Sequence, residues 1–137
     1  MVVGIALMPL VMACTGPSPS PAAPGSSVTT EVAGLAGQWR GYYRQVTAGD
    51  TGYVHGDIDL RIKEDGTYAG TWSNRQVAGS TRAGRTDMAG TVVASGNRVI
   101  LRDWRDLILK RTGETLYGLT TDPGTARTLS VYLERVP

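Results

Sequence analysis

Three side chains able to handle a proton or a divalent cation stand at alternate positions of one short segment: His55, Asp57 and Asp59. In an extended strand alternate residues share a face, with neighbouring Cβ atoms about 7 Å apart. Such a row can supply ligands to a cation or an acid and a base to a reaction. The residues between them argue otherwise. Val54, Gly56, Ile58, Leu60 and Ile62 take the alternate positions, so the apolar set faces a core while His55, Asp57, Asp59, Arg61 and Lys63 face outward. The row is expected on the solvated outside of a sheet.

A second group of charges, Arg75, Arg82 and Arg85, sits in or beside the Gly/Ser/Arg-rich stretch from Gln76 to Arg85. It can meet a phosphate, a carboxylate or an acidic partner, or simply line a polar loop. Ser and Thr are plentiful, but no Gly-x-Ser-x-Gly elbow occurs, and the single His55 lies within a strand pattern, where it cannot serve a triad. One histidine and one cysteine exclude a Cys/His zinc cluster. No glycine loop has phosphate-cradling spacing. An enzyme is not expected, nor any cofactor or metal. The formal charge of +2 is too small for a nucleic-acid surface, so nucleic acid is not an expected partner.

The head of the chain differs from the rest. Residues 1–13 form an uncharged apolar run, too short for a bilayer span of about 20 residues and of the right length for a signal-peptide core. The run ends in Val11-Met12-Ala13-Cys14. This resembles the lipobox of bacterial lipoproteins, in which cleavage before the cysteine leaves it as the acylated first residue. The resemblance implies a signal peptide over 1–13, lipidation at Cys14, and a membrane as partner through that lipid. No Lys or Arg precedes Cys14, although signal peptides begin with one; an assigned start a few residues too late is the expected reason. No acidic residue follows Cys14 directly, which in that family points to the outer membrane of a two-membrane cell envelope.

Residues 14–34 are expected to be the lipidated cysteine and a Pro/Ser-rich linker. The stretch from Thr15 to Thr30 is rich in Pro, Ser and Ala, with too little apolar surface to fold.

Residues 35–137 leave about 100 residues for one domain, enough for a small core. They read as eight strands. Gly37 to Val46 comes first, then Val54 to Lys63, and Glu64-Asp65-Gly66 turns the second into Thr67 to Arg75. Thr86 to Ala94, Arg98 to Arg102, Leu107 to Arg111 and Thr115 to Thr121 follow with short turns between them. Asp122-Pro123-Gly124-Thr125 then turns into Arg127 to Arg135, where Leu129, Val131 and Leu133 alternate with Thr128, Ser130, Tyr132 and Glu134. No stretch carries a clear helical period. Consecutive short-turned strands form an up-and-down meander, and eight suffice to close an all-β antiparallel barrel; a two-sheet sandwich is the alternative.

Gly37-Gln38-Trp39 is similar to the Gly-x-Trp that opens lipocalins and other calycin-type barrels, and Gly70-Thr71-Trp72 after an Asp-Gly turn is similar to avidin-like barrels. The resemblance implies an eight-stranded barrel with a ligand site at its open end, in a superfamily that is mostly non-enzymatic. Trp39 is expected to plug the barrel.

Gly41, Gly56, Gly70, Gly90 and Gly118 share strand faces with Trp39, Tyr43, Tyr68, Trp72 and Met88. Inward glycines permit tight coiling, and they can also leave a cavity. If they leave one, Trp39, Tyr43, Tyr68, Gly70 and Trp72 are the expected ligand-binding residues for a small, mostly apolar molecule. If the barrel is solid, its loops are expected to bind a protein, for example a lytic enzyme or a protease.

Overall fold

The computed structural model describes residues 26–46, 54–75, 84–122 and 127–137. Cys14, Arg82 and the Asp122-Pro123-Gly124-Thr125 turn lie wholly or partly outside them.

One short helix, α1 (Ser26–Ala33), precedes the strands β1 (Gly37–Gln45), β2 (His55–Ile62), β3 (Thr67–Asn74), β4 (Gly84–Ser95), β5 (Arg98–Leu101), β6 (Leu107–Thr112), β7 (Thr115–Asp122) and β8 (Arg127–Arg135). Every strand pairs antiparallel with its neighbour in sequence, and β1 pairs with β8, which closes the barrel. The sandwich alternative is therefore set aside. The alternation in β2 appears as anticipated: Gly56, Ile58, Leu60 and Ile62 are buried and the residues between them are not.

The helix corrects the expectation of an unstructured segment reaching residue 34 with no helix. Eight residues are too few for a helix to hold by itself in water, so packing supplies the stability. Val32 and Leu35 are buried, and they lie over one end of the barrel. Glu31 accepts a hydrogen bond from the Gly96 backbone N–H at 3.2 Å, tying the helix to the β4–β5 turn. Their spacing in sequence is helical, but the polar and Pro-rich surroundings hid it.

That end is sealed. Gly37 adopts φ +141°, a backbone conformation that side-chain-bearing residues rarely take, and so swings the chain from α1 into β1. Two residues on, Trp39 is fully buried and donates its indole N–H to the Leu35 carbonyl at 2.8 Å. The Arg135 guanidinium lies 5.1 Å from the Trp39 ring centre, pairs with Glu114 at 2.8 Å and donates to the Gly34 carbonyl. Trp39 is the plug, and the last strand clamps it.

The interior above the plug is occupied by side chains. Tyr43, Ile58, Leu60, Ile62, Met88, Leu101, Leu107, Leu109, Leu116 and Leu133 are each no more than 2% exposed. The inward glycines bring strands together. A Cβ at Gly70 would lie 2.5 Å from the Leu60 Cα and closer still to the Asp59 carbonyl, and one at Gly41 would lie 2.8 Å from the Leu133 Cα. Gly90 and Gly118 face neighbouring backbone in the same way, at Arg102 and Ile108. The space that their missing side chains leave is taken by the adjacent strand.

Candidate functional site

The opposite end of the barrel carries an aromatic stack. Tyr43 and Trp72 lie face to face, ring centres 3.9 Å apart, and the Tyr43 hydroxyl bonds the Asn74 side-chain oxygen. A Cβ at Gly56 would lie 2.7 Å from the Tyr43 ring and hydroxyl, so this glycine makes room for the stack. Trp104, on the loop between β5 and β6, packs on Trp72 at 5.0 Å, and the Arg105 guanidinium lies 4.5 Å from the Trp104 ring centre. Asp103 anchors this loop by accepting from the Thr91 N–H at 3.0 Å and the Thr91 hydroxyl at 2.8 Å. The Tyr68 hydroxyl donates to the Arg102 carbonyl at 2.7 Å, and burial, with Asp103 and Asp106 nearby, pushes its pKa up to about 12.

The residues expected to bind a ligand are thus placed at two ends of a packed interior. Tyr43 and Trp72 stack near the mouth, Tyr68 lies further along β3 opposite Ile62 with its hydroxyl on the Arg102 carbonyl, Trp39 lies at the sealed end, and Gly70 abuts the β2 backbone. Trp39, Tyr43, Tyr68 and Trp72 are each 4% exposed or less.

The charged rows behave as an outer surface. Asp57 accepts two hydrogen bonds from Arg75, both at 2.7 Å, and its carboxylate raises the Arg75 pKa. Asp59 pairs with Arg40 at 2.8 Å and also accepts from Gln38. Among the described residues no group of acidic, His or Cys side chains is arranged to hold a metal. Arg85 is exposed on β4, while Arg75 is committed to Asp57.

The sequence reading overlooked the outer wall formed by β5, β6, β7, β8 and β1. Registers align two rows across it. In one, Arg98 faces Lys110, Lys110 faces Tyr117, Tyr117 faces Tyr132, and Tyr132 faces Tyr42. In the other, Ile100 faces Ile108 on one side, and Leu119, Ser130 and Arg44 follow in register on the other. Between the rows the chain of Leu109, Gly118 and Val131 forms the floor of an open groove of about 670 Å³. At about 4.8 Å per strand, the four steps from β5 to β1 make it roughly 19 Å long.

Its walls are unusually apolar for the outside of a barrel. Leu119 is 63% exposed, Ile108 46%, Tyr42 44% and Tyr117 41%. The Tyr42 and Tyr132 rings stack at 5.5 Å, which fixes the aromatic row in place, and Tyr132 donates its hydroxyl to Glu134 at 2.7 Å. The available signal was an aromatic residue on the polar face of a strand: Tyr132 alternates with Leu129, Val131 and Leu133, and Tyr42 adjoins the inward Tyr43. The register that gathers these residues is not written in any one strand.

No family model matches the chain, no curated protein matches it, and no solved structure matches it.

Proposed function

We propose that this chain is a non-enzymatic, membrane-tethered binding domain that receives a partner protein on the outer wall of its barrel. One observation carries the reading: among the described residues, four of the six large apolar side chains left exposed, Tyr42, Ile108, Tyr117 and Leu119, line one groove, while the interior positions are filled. Contiguous exposed apolar surface on a small domain marks an interaction site. Tyrosines suit such a site because each supplies much contact area at low conformational cost.

The anchor belongs to the same proposal. Cys14 bears the lipid, residues 1–13 are removed, and the residues after Cys14 tether the barrel to the cell envelope, at the outer membrane where there are two. Twelve chain steps separate Cys14 from Ser26, a length of chain that can reach at most about 40 Å. The barrel would then work close to a membrane surface. Cys14→Ser should move the protein to the soluble fraction; a wild type already soluble in its own host contradicts the anchor.

A photo-crosslinking residue at position 117 or 119, introduced in the native host, tests the binding surface. Adducts with a protein are expected there and not from position 87 on β4. Adducts from position 87 alone, or none at all, contradict the outer-wall reading.

A small apolar ligand in a lipocalin-like interior is the second reading, and one observation favours it. Trp104 covers the Tyr43–Trp72 stack from a loop in which Asp103 and Asp106 both hold positive φ, at 78° and 48°. Displacing this loop would bare that stack. An apolar probe that saturates at the mouth would favour it.

A further inference from the structure

The electrostatics of the outer wall select among protein partners. Arg98 and Lys110 stand directly opposite each other on β5 and β6. Like charges at opposed positions destabilise a sheet, so the pair works against the barrel that carries it. Arg44 stands at the other end of the same groove. No carboxylate ion-pairs with Arg44, Arg98 or Lys110 among the described residues. Of the carboxylates on this side of the barrel, Asp59 pairs with Arg40, Asp57 with Arg75 and Glu114 with Arg135, while Glu134 accepts from the Tyr132 hydroxyl beside the tyrosine row. The groove is thus apolar along its length and positive at both ends.

We infer that the groove receives an extended, acidic segment of a partner protein, its carboxylates at Arg98–Lys110 and Arg44 and its apolar side chains between the tyrosine row and Ile108–Leu119. The inference rests on the proposed outer-wall reading and adds the chemistry of the partner. A length of roughly 19 Å matches about six residues of extended chain at 3.3 Å each. The groove also follows a curved wall, which a flexible segment can track and a flat bilayer meets over only part of its length. Neutralising Arg98 and Lys110 together removes the repulsion between them, so part of the affinity arises from strain relieved in the barrel.

That repulsion makes the inference testable without confusing binding with folding. Arg98→Glu replaces a like-charge pair with an opposite-charge pair facing Lys110, so the variant should melt above the wild type. It should nevertheless bind an acidic segment more weakly. A short peptide alternating Glu and Leu serves as the probe, titrated into the full chain carrying Cys14→Ser. The wild-type groove should bind it, and raising salt from about 0.05 to about 0.5 M should weaken binding, as screening demands. Arg98→Glu should weaken it about tenfold or more, the scale of a lost close charge pair. The double variant Arg98→Glu, Lys110→Glu should instead favour the matching Lys–Leu peptide.

Equal binding of the Glu–Leu and Lys–Leu peptides to the wild type overturns the inference. So does binding to phosphatidylglycerol vesicles, and not to phosphatidylcholine vesicles, when neither peptide binds, because the occupant is then a lipid surface. If a crosslinker at position 117 captures a protein and the double charge reversal leaves that capture unchanged, the inference fails while the outer-wall reading stands. If no protein is captured, the outer-wall reading itself fails.

Discussion

Trp39 donates its indole N–H to the carbonyl of Leu35, four residues earlier in the chain, at 2.8 Å. The bond joins the first strand to the segment that leaves the helix, so plug and lid are one continuous piece of chain. Both side chains are fully buried. Closure of this end therefore depends on Gly37, whose positive φ lets the chain reverse between them.

Trp39→Ala should cost about 3–5 kcal/mol, the range for truncating a buried tryptophan. Against a total stability of about 5–15 kcal/mol, that should largely unfold the domain. Denaturant titration checks it: a midpoint shift worth less than about 1 kcal/mol would show that Trp39 does not seal the barrel. Trp39→Phe, which keeps an aromatic side chain but loses part of the ring volume and the bond to Leu35, should cost less than Trp39→Ala.

Gly70→Leu separates a filled interior from a hollow one. A Cβ at this position meets the backbone of Asp59 and Leu60, which cannot swing aside as a side chain can. The cost should be on the order of 1–3 kcal/mol or more, with a lower melting temperature and no lost ligand binding to account for it. Gly70→Ala should already be destabilising. A variant that melts like the wild type but no longer binds an apolar dye would place a cavity beside Gly70 instead.

Tyr68 makes stability fall at high pH. Its pKa is raised from 10 to about 12 in the folded chain by burial and by Asp103 and Asp106. The neutral hydroxyl is thus favoured by folding, and its contribution is fully present below pH 10. As pH rises from 10 towards 12 the unfolded chain ionises first and stability is lost. Ultraviolet titration of tyrosinate should show Tyr68 ionising late, and Tyr68→Phe should remove this part of the high-pH loss. A Tyr68 that titrates near 10 contradicts the packing described around Arg102.

The barrel was legible in the sequence because each strand carries its own evidence. The period-two pattern of β2 and β8 and the turn at Glu64-Asp65-Gly66 are local, and local signals survive without knowledge of the fold. Trp39 as plug followed from its place beside Gly37. The helix escaped because Val32 and Leu35 gain their meaning only from the barrel end they cover. The groove escaped for a related reason. Tyr42, Tyr117 and Tyr132 are far apart in sequence, and only the registers of β7 with β8 and of β8 with β1 bring them into one row. The inward glycines were ambiguous in sequence, since coiling and cavity require the same residue; the distance to the neighbouring backbone separates them.

The central claim is a solid barrel that binds on its outside, and nuclear magnetic resonance of the full chain with a small apolar probe tests it most directly. The chain has three tryptophans, Trp39, Trp72 and Trp104, whose indole N–H signals report on the interior and the mouth. The tyrosines Tyr42, Tyr117 and Tyr132 report on the groove. Titration is predicted to move the ring signals of these tyrosines and to leave the Trp39 and Trp72 indole signals where they were. Saturable shifts of Trp72 and Trp39 with the outer tyrosines unmoved would contradict the account and give the interior back to a ligand.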